Sequence, residues 1–145
     1  TCMMATATQA PLETDVTYAL RNRVQITPGT ENVGTVEAIS ASTGATAWKR
    51  EQRAGHLSVI ATGGGLVFGG DVSGRFRAYD DRSGEVLWEV NLGSHVAGFP
   101  ATFTVGDKQY IAISTGATPN TFGLATLTPE VRGGTANGLY VFALP

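Results

Sequence analysis

The chain contains two histidines, His56 and His95, one cysteine, Cys2, and twelve carboxylates. An imidazole can exchange a proton near neutral pH from either ring nitrogen. His56 stands just ahead of the apolar run LSVIA, in a loop entering a strand. His95 lies in GSHVAGFP, between two strands, and is read as structural. Two histidines on separate loops make no metal site without a third ligand. The carboxylates supply none. Asp71 and Asp107 follow a Gly, and Asp80 and Asp81 stand in the turn ahead of Ser83-Gly84, the usual turn positions of Asp. Glu13, Asp15 and Glu31 fall in a stretch without periodicity, and no spacing pairs two carboxylates for acid–base work. No catalytic residue and no metal ligand is therefore assigned. Cys2 has no cysteine partner within the chain. The triple glycine at 63–65 lacks the following Lys-Ser/Thr of a phosphate loop and reads as a tight turn.

Composition narrows the classes further. Ten basic against twelve acidic residues give a formal charge of −2, and no basic–aromatic patch occurs, which excludes a dedicated nucleic-acid binder. No apolar run approaches the ~20 residues of a transmembrane helix, and no signal peptide is visible. Hydrophobic residues make up 42%, enough to exclude disorder. Nineteen glycines in 145 residues imply many tight turns, hence many short strands. A start at Thr1 suits a processed chain or a fragment.

The elements that would position any site repeat. GTVEAISASTGATAW (34–48) and GRFRAYDDRSGEVLW (74–88) share Gly34/Gly74, Ala38/Ala78, Gly44/Gly84 and Trp48/Trp88 at an offset of 40 residues. GLYVFAL (138–144) is a partial third copy. VFGGD and RFRAYD are short strands, and Ser83-Gly84 turns the chain into EVLWEVNL. A second hairpin spans 100–115, turned at Gly106-Asp107. A repeat of ~40–45 residues with four short strands is the length of a propeller blade. The expected fold is all-β: a partial β-propeller of four-stranded antiparallel blades, with the tryptophans docked in the seams between blades. Residues 34–145 form the C-terminal blades. Residues 1–33 read as a loop-rich lead-in with one strand at Val24–Thr27, and 116–137 as an irregular excursion broken at Pro119, Pro129 and Gly133-Gly134.

The motifs A-T-x-G-x-L-V-F-x-G (61–70), G-x-x-x-A-x-D-x-x-[ST]-G-x-x-L-W (74–88) and G-x-x-Q-Y-I-A-I within 100–113 occur in this order. The chain thereby resembles the C-terminal part of the pyrroloquinoline-quinone (PQQ) dependent alcohol dehydrogenases. That resemblance implies an eight-bladed propeller, PQQ near its axis with a calcium or lanthanide ion, an alcohol substrate, a cytochrome c-type acceptor and a periplasmic location. It also implies that the remainder of the propeller, with the metal ligands, lies outside these residues. The isolated segment is expected to be inactive.

Residue by residue, the family's cofactor-proximal tryptophan falls at His56, so His56, Leu57 and Ser58 are the expected cofactor-binding residues on that loop. From position 56 an imidazole would donate to a quinone carboxylate. The family's Gly-Gly-Trp falls at 116–121, again without tryptophan, and there Thr118 and Asn120 are expected at the cofactor. The two departures imply a roomier, more polar mouth, suited to bulkier alcohols. The repeat taken alone fits a second class equally: a non-catalytic propeller that serves as a scaffold for protein–protein interaction.

Overall fold

The computed structural model describes residues 3–9, 20–131 and 133–144. Cys2, Glu13 and Asp15 lie outside the described residues. The chain folds almost entirely into antiparallel strands. β1 (Met3–Gln9) pairs with β2 (Leu20–Ile26), and β3 (Gly34–Ile39) with β4 (Thr46–Gln52). A four-stranded meander follows: β5 (His56–Ala61), β6 (Leu66–Asp71), β7 (Arg75–Asp80) and β8 (Val86–Asn91). The last sheet is β9 (Ala101–Val105), β10 (Lys108–Thr115) and β11 (Gly138–Ala143), with β10 in the middle. Among the described residues, one sheet has the full four strands of a blade.

Two segments depart from the expectation. Residues 1–33 contain β1 and β2 rather than a loop with a single short strand. The excursion 116–137 contains α1 (Pro119–Leu127) and a 3-10 turn (Pro129–Val131). Pro119 begins this helix instead of breaking it. It occupies the first turn, where its missing N–H costs nothing. Thr118 and Thr121 close a capping box around it, the Thr118 hydroxyl accepting from the Thr121 amide at 3.2 Å and Thr121 Oγ1 accepting from the Thr118 amide at 2.7 Å.

The sequence repeat is a structural repeat. Ala38 pairs with Trp48 and Ala78 with Trp88, and the register slips directly after each alanine. The turns agree bond for bond. The Gly44 amide donates to Ser40 O at 2.8 Å, and the Gly84 amide to Asp80 O at 2.9 Å. Both glycines hold positive φ, 71° and 68°, which a Cβ would resist.

Each tryptophan leans on the following sheet. Trp48 Nε1 donates to Asp81 O at 2.7 Å, and its ring lies over Gly84. Trp88 meets Phe142 of β11 edge-on, with centroids 5.1 Å apart. The two seams differ in chemistry. Trp48, Arg50 and Gln52 alternate along β4, and all three bond to the meander: to Asp81 O, Gly84 O and the Asp71 carboxylate. The next seam is apolar. Phe68, Phe76 and Ala78 bury against Val96, Ile111 and Ile113, with Phe142 partly covered.

Strand direction gathers the long loops at one end. His56, Asp71, Arg75 and Asn91 end or begin the meander strands there, in register. Gly34 and Gln52 do so for β3 and β4, and Thr115 and Gly138 for the last sheet. The segments 27–33, 53–55, 72–74, 92–100 and 116–137 therefore share one face.

Candidate functional site at the loop end

Backbone bonds knit this face together. The Val72 amide donates to Gly55 O, Val96 to Asp71 O, Gly133 to Val72 O, Gly134 to Gly93 O, His95 to Gly134 O and Gly116 to His95 O. Beneath them Val33, Ala54, Val72 and Leu124 form a small buried cluster, with Leu57 packed against it. A Cβ on Gly55 would stand 3.2 Å from Leu124 Cδ1, so α1 rests directly on the entry to β5. Both stretches expected at the cofactor, 56–58 and 118–120, thus lie at this end.

Their side chains have distinct tasks. His56 is held inside the meander, with Nδ1 3.1 Å from Gly70 O and Nε2 3.1 Å from Tyr79 Oη. A carbonyl only accepts, so Nδ1 carries the proton and Nε2 takes the Tyr79 hydroxyl. Ser58, buried, donates to Gly98 O at 2.6 Å. Leu57 is a packing residue. Thr118 caps α1, and Asn120 is a residue of its first turn.

Burial pushes the His56 imidazole down to about 4. Asp71 pulls the other way and Arg77 reinforces the shift. The sign follows. A histidine whose folded pKa lies below its unfolded value of ~6.5 stabilises the fold fully only above that value. The contribution is lost as pH falls from about 6.5 through 4. We expect the denaturant midpoint to drop over that interval, by an amount worth at most ~3 kcal/mol. His56→Gln should flatten this limb, as read by urea titrations at several pH values.

Next to His56 stands a polar centre that sequence reading assigned only to a turn. Asp71 is fully buried. Its Oδ1 accepts from the Ser73 amide, the Ser73 hydroxyl and the Arg75 amide, at 2.9, 2.6 and 3.2 Å. Its Oδ2 accepts from Gln52 Nε2 at 2.8 Å and Arg77 Nη1 at 2.6 Å. Burial is the largest single influence on Arg77 and lowers its pKa, but the bond and charge of Asp71, joined by Tyr79 and Glu89, together raise it. Arg77 also meets Glu89 at 2.5 Å. The network ties β4, β6, β7 and β8 at the loop end.

Every buried polar or charged side chain among the described residues lies at this end: Ser58, Asp71, Ser94, His95, Thr115, Thr121 and Thr128. Most are satisfied within the chain. His95 is 2% exposed and Thr128 0%, yet among the described residues both ring nitrogens of His95 and the Thr128 hydroxyl lack a partner. Buried polar atoms are bonded as a rule, so these exceptions call for an explanation. Among the described residues no group of three or more His, Cys, Asp or Glu is placed to hold a metal.

Residues 30–111 match the family described as PQQ glucose/ethanol/alcohol dehydrogenase, β-propeller domain. Quinoprotein alcohol dehydrogenase PedE of Pseudomonas putida is 36% identical over 124 residues, covering 79% of this chain and 19% of that protein. The methanol dehydrogenase [cytochrome c] subunit 1 of Methylobacterium organophilum is 37% identical over 84 residues, 57% of this chain and 13% of its own. Among solved structures, a europium-containing methanol dehydrogenase superposes on 99% of this chain and 29% of its own, with a TM-score of 0.78 and 26% identity. The chain spans about a fifth of the length of PedE, 19%.

Proposed function

This chain belongs to the PQQ-dependent glucose/ethanol/alcohol dehydrogenase β-propeller family, and from that premise we propose that it supplies blades and one arc of the cofactor pocket to an enzyme that oxidises an alcohol or another hydroxyl-bearing compound. The observation that carries the reading is the loop end itself. Polar burial is concentrated there, and some of it has no partner among the described residues. PQQ is acidic and rich in carbonyl oxygens, so donors such as His95 and the Thr128 hydroxyl fit it. When bound, the quinone supplies the two-electron acceptor for the substrate. The chain's own residues hold the loops in place: His56 through Gly70 and Tyr79, Ser58 through Gly98, and Thr118 through the helix cap.

The remainder of the protein is the first partner. The outer face of the last sheet is apolar and open: Leu139 is 73% exposed, Val105 62%, Val141 51% and Phe103 43%. The register puts all four on one face, opposite the buried Ile111 and Ile113. Such a face calls for a further sheet against it. We place the calcium or lanthanide ligands in that remainder, take a cytochrome c-type protein as the electron acceptor, and assign the enzyme to the periplasm. No helix among the described residues is long and apolar enough to cross a membrane. The family match supports the dehydrogenase over a protein-binding scaffold.

The whole gene product, loaded with PQQ and Ca²⁺ or a lanthanide, should reduce an artificial dye in the presence of a primary alcohol. The 145-residue segment alone should not. A whole protein that binds no PQQ would refute the assignment.

A further inference from the structure

We propose that the His95 imidazole is a binding contact for the quinone cofactor, donating from a ring nitrogen to one of its carboxylate or carbonyl oxygens. The inference rests on the quinoprotein reading and extends it to a residue that sequence reading had treated as structural. Its ground is an imbalance of bonds. Backbone bonds place His95 at the centre of the loop end, its amide on Gly134 O and its carbonyl taking the Gly116 amide, each at 2.9 Å. Its neighbour Val96 is committed to the apolar seam. The ring is 2% exposed, and neither nitrogen has a hydrogen-bond partner among the described residues. An imidazole always carries at least one N–H donor, and leaving such a group buried and unmet is unfavourable. An apolar ring of similar size would avoid that penalty. A histidine whose needs the protein leaves unmet, on the face where the blades collect their polar groups, suits a site completed by a ligand with acceptor oxygens. The second orphan, the Thr128 hydroxyl, belongs to the excursion that carries Gly116 and Gly134.

The test uses the whole gene product, stripped of cofactor and titrated with PQQ in the presence of Ca²⁺, with tryptophan quenching as the readout. His95→Phe should weaken PQQ binding at least about tenfold, the worth of a hydrogen bond to a charged group. His95→Gln, which keeps an N–H donor, should recover most of that loss. The cofactor-free His95→Phe protein should melt no lower than the wild type, because it sheds an unmet polar ring. Unchanged PQQ affinity in His95→Phe, or a lowered melting point with affinity retained, would overturn the inference while leaving the quinoprotein reading intact. Absence of PQQ binding by the wild type would instead defeat that reading. A PQQ-loaded wild-type structure decides the matter without any variant. A His95 ring nitrogen within ~3.2 Å of a PQQ oxygen supports the contact, and a ring turned away from the cofactor refutes it.

Discussion

Asp71→Ala is expected to destabilise the protein by about 3–5 kcal/mol, the cost of stripping one partner from a buried ion pair. Five donors converge on this carboxylate, three on Oδ1 and two on Oδ2. Its removal unties the turn from β6 to β7 and leaves the Arg77 guanidinium, whose side chain is only 11% exposed, with Gln52 and Glu89. The double change Asp71→Ala with Arg77→Met should cost less than the single one, because it also removes the stranded charge. Chemical unfolding of the three proteins, compared by midpoint at constant slope, makes the comparison. A larger loss in the double variant than in Asp71→Ala would contradict this coupling.

The second large effect concerns the seat of Trp48. A Cβ built on Gly84 would lie 2.5 Å from Trp48 Cε3, whereas one on Gly44 meets nothing within 4 Å. The two glycines occupy equivalent turns at nearly the same positive φ. Gly44→Ala should therefore cost only the left-handed strain, about 1 kcal/mol. Gly84→Ala should cost about 3 kcal/mol, since overpacking adds to the same strain. Only Gly84→Ala should red-shift the tryptophan emission, as the Trp48 ring is pushed off the turn and its bond to Asp81 O is lost. Equal costs at the two positions would mean that the indole does not rest on the turn.

This pair also shows what could be read from residues alone. The blade repeat was legible because its markers are local. A turn glycine with positive φ, an alanine opposite an indole and an alternating strand are all set within fifteen residues. The helix α1 was not, because Pro119 and the threonines around it read as breakers until the Thr118–Thr121 capping box is seen in space. β2 runs from Leu20 to Ile26, but Pro11, Pro28, Gly29 and the scattered threonines around it give the segment the character of a loop with one strand at Val24–Thr27. At the candidate site, a resemblance could point to His56, Ser58 and Thr118, and the fold brings their segments to one end. It could not foresee that His56 bonds back into its own sheet. Nor could it foresee that the unmet histidine is His95, or that Asp71 anchors four strands. Those roles depend on partners distant in sequence, such as Gln52, 19 residues from Asp71, and only packing brings them together.

We propose that these blades belong to an enzyme in which an alcohol reduces a bound quinone. Anaerobic mixing of the PQQ- and metal-loaded whole protein with a primary alcohol, followed by absorbance, tests it in a single turnover. The quinone band should bleach with one aldehyde formed per cofactor, two electrons and two protons leaving each alcohol. An unchanged spectrum with PQQ demonstrably bound would contradict it.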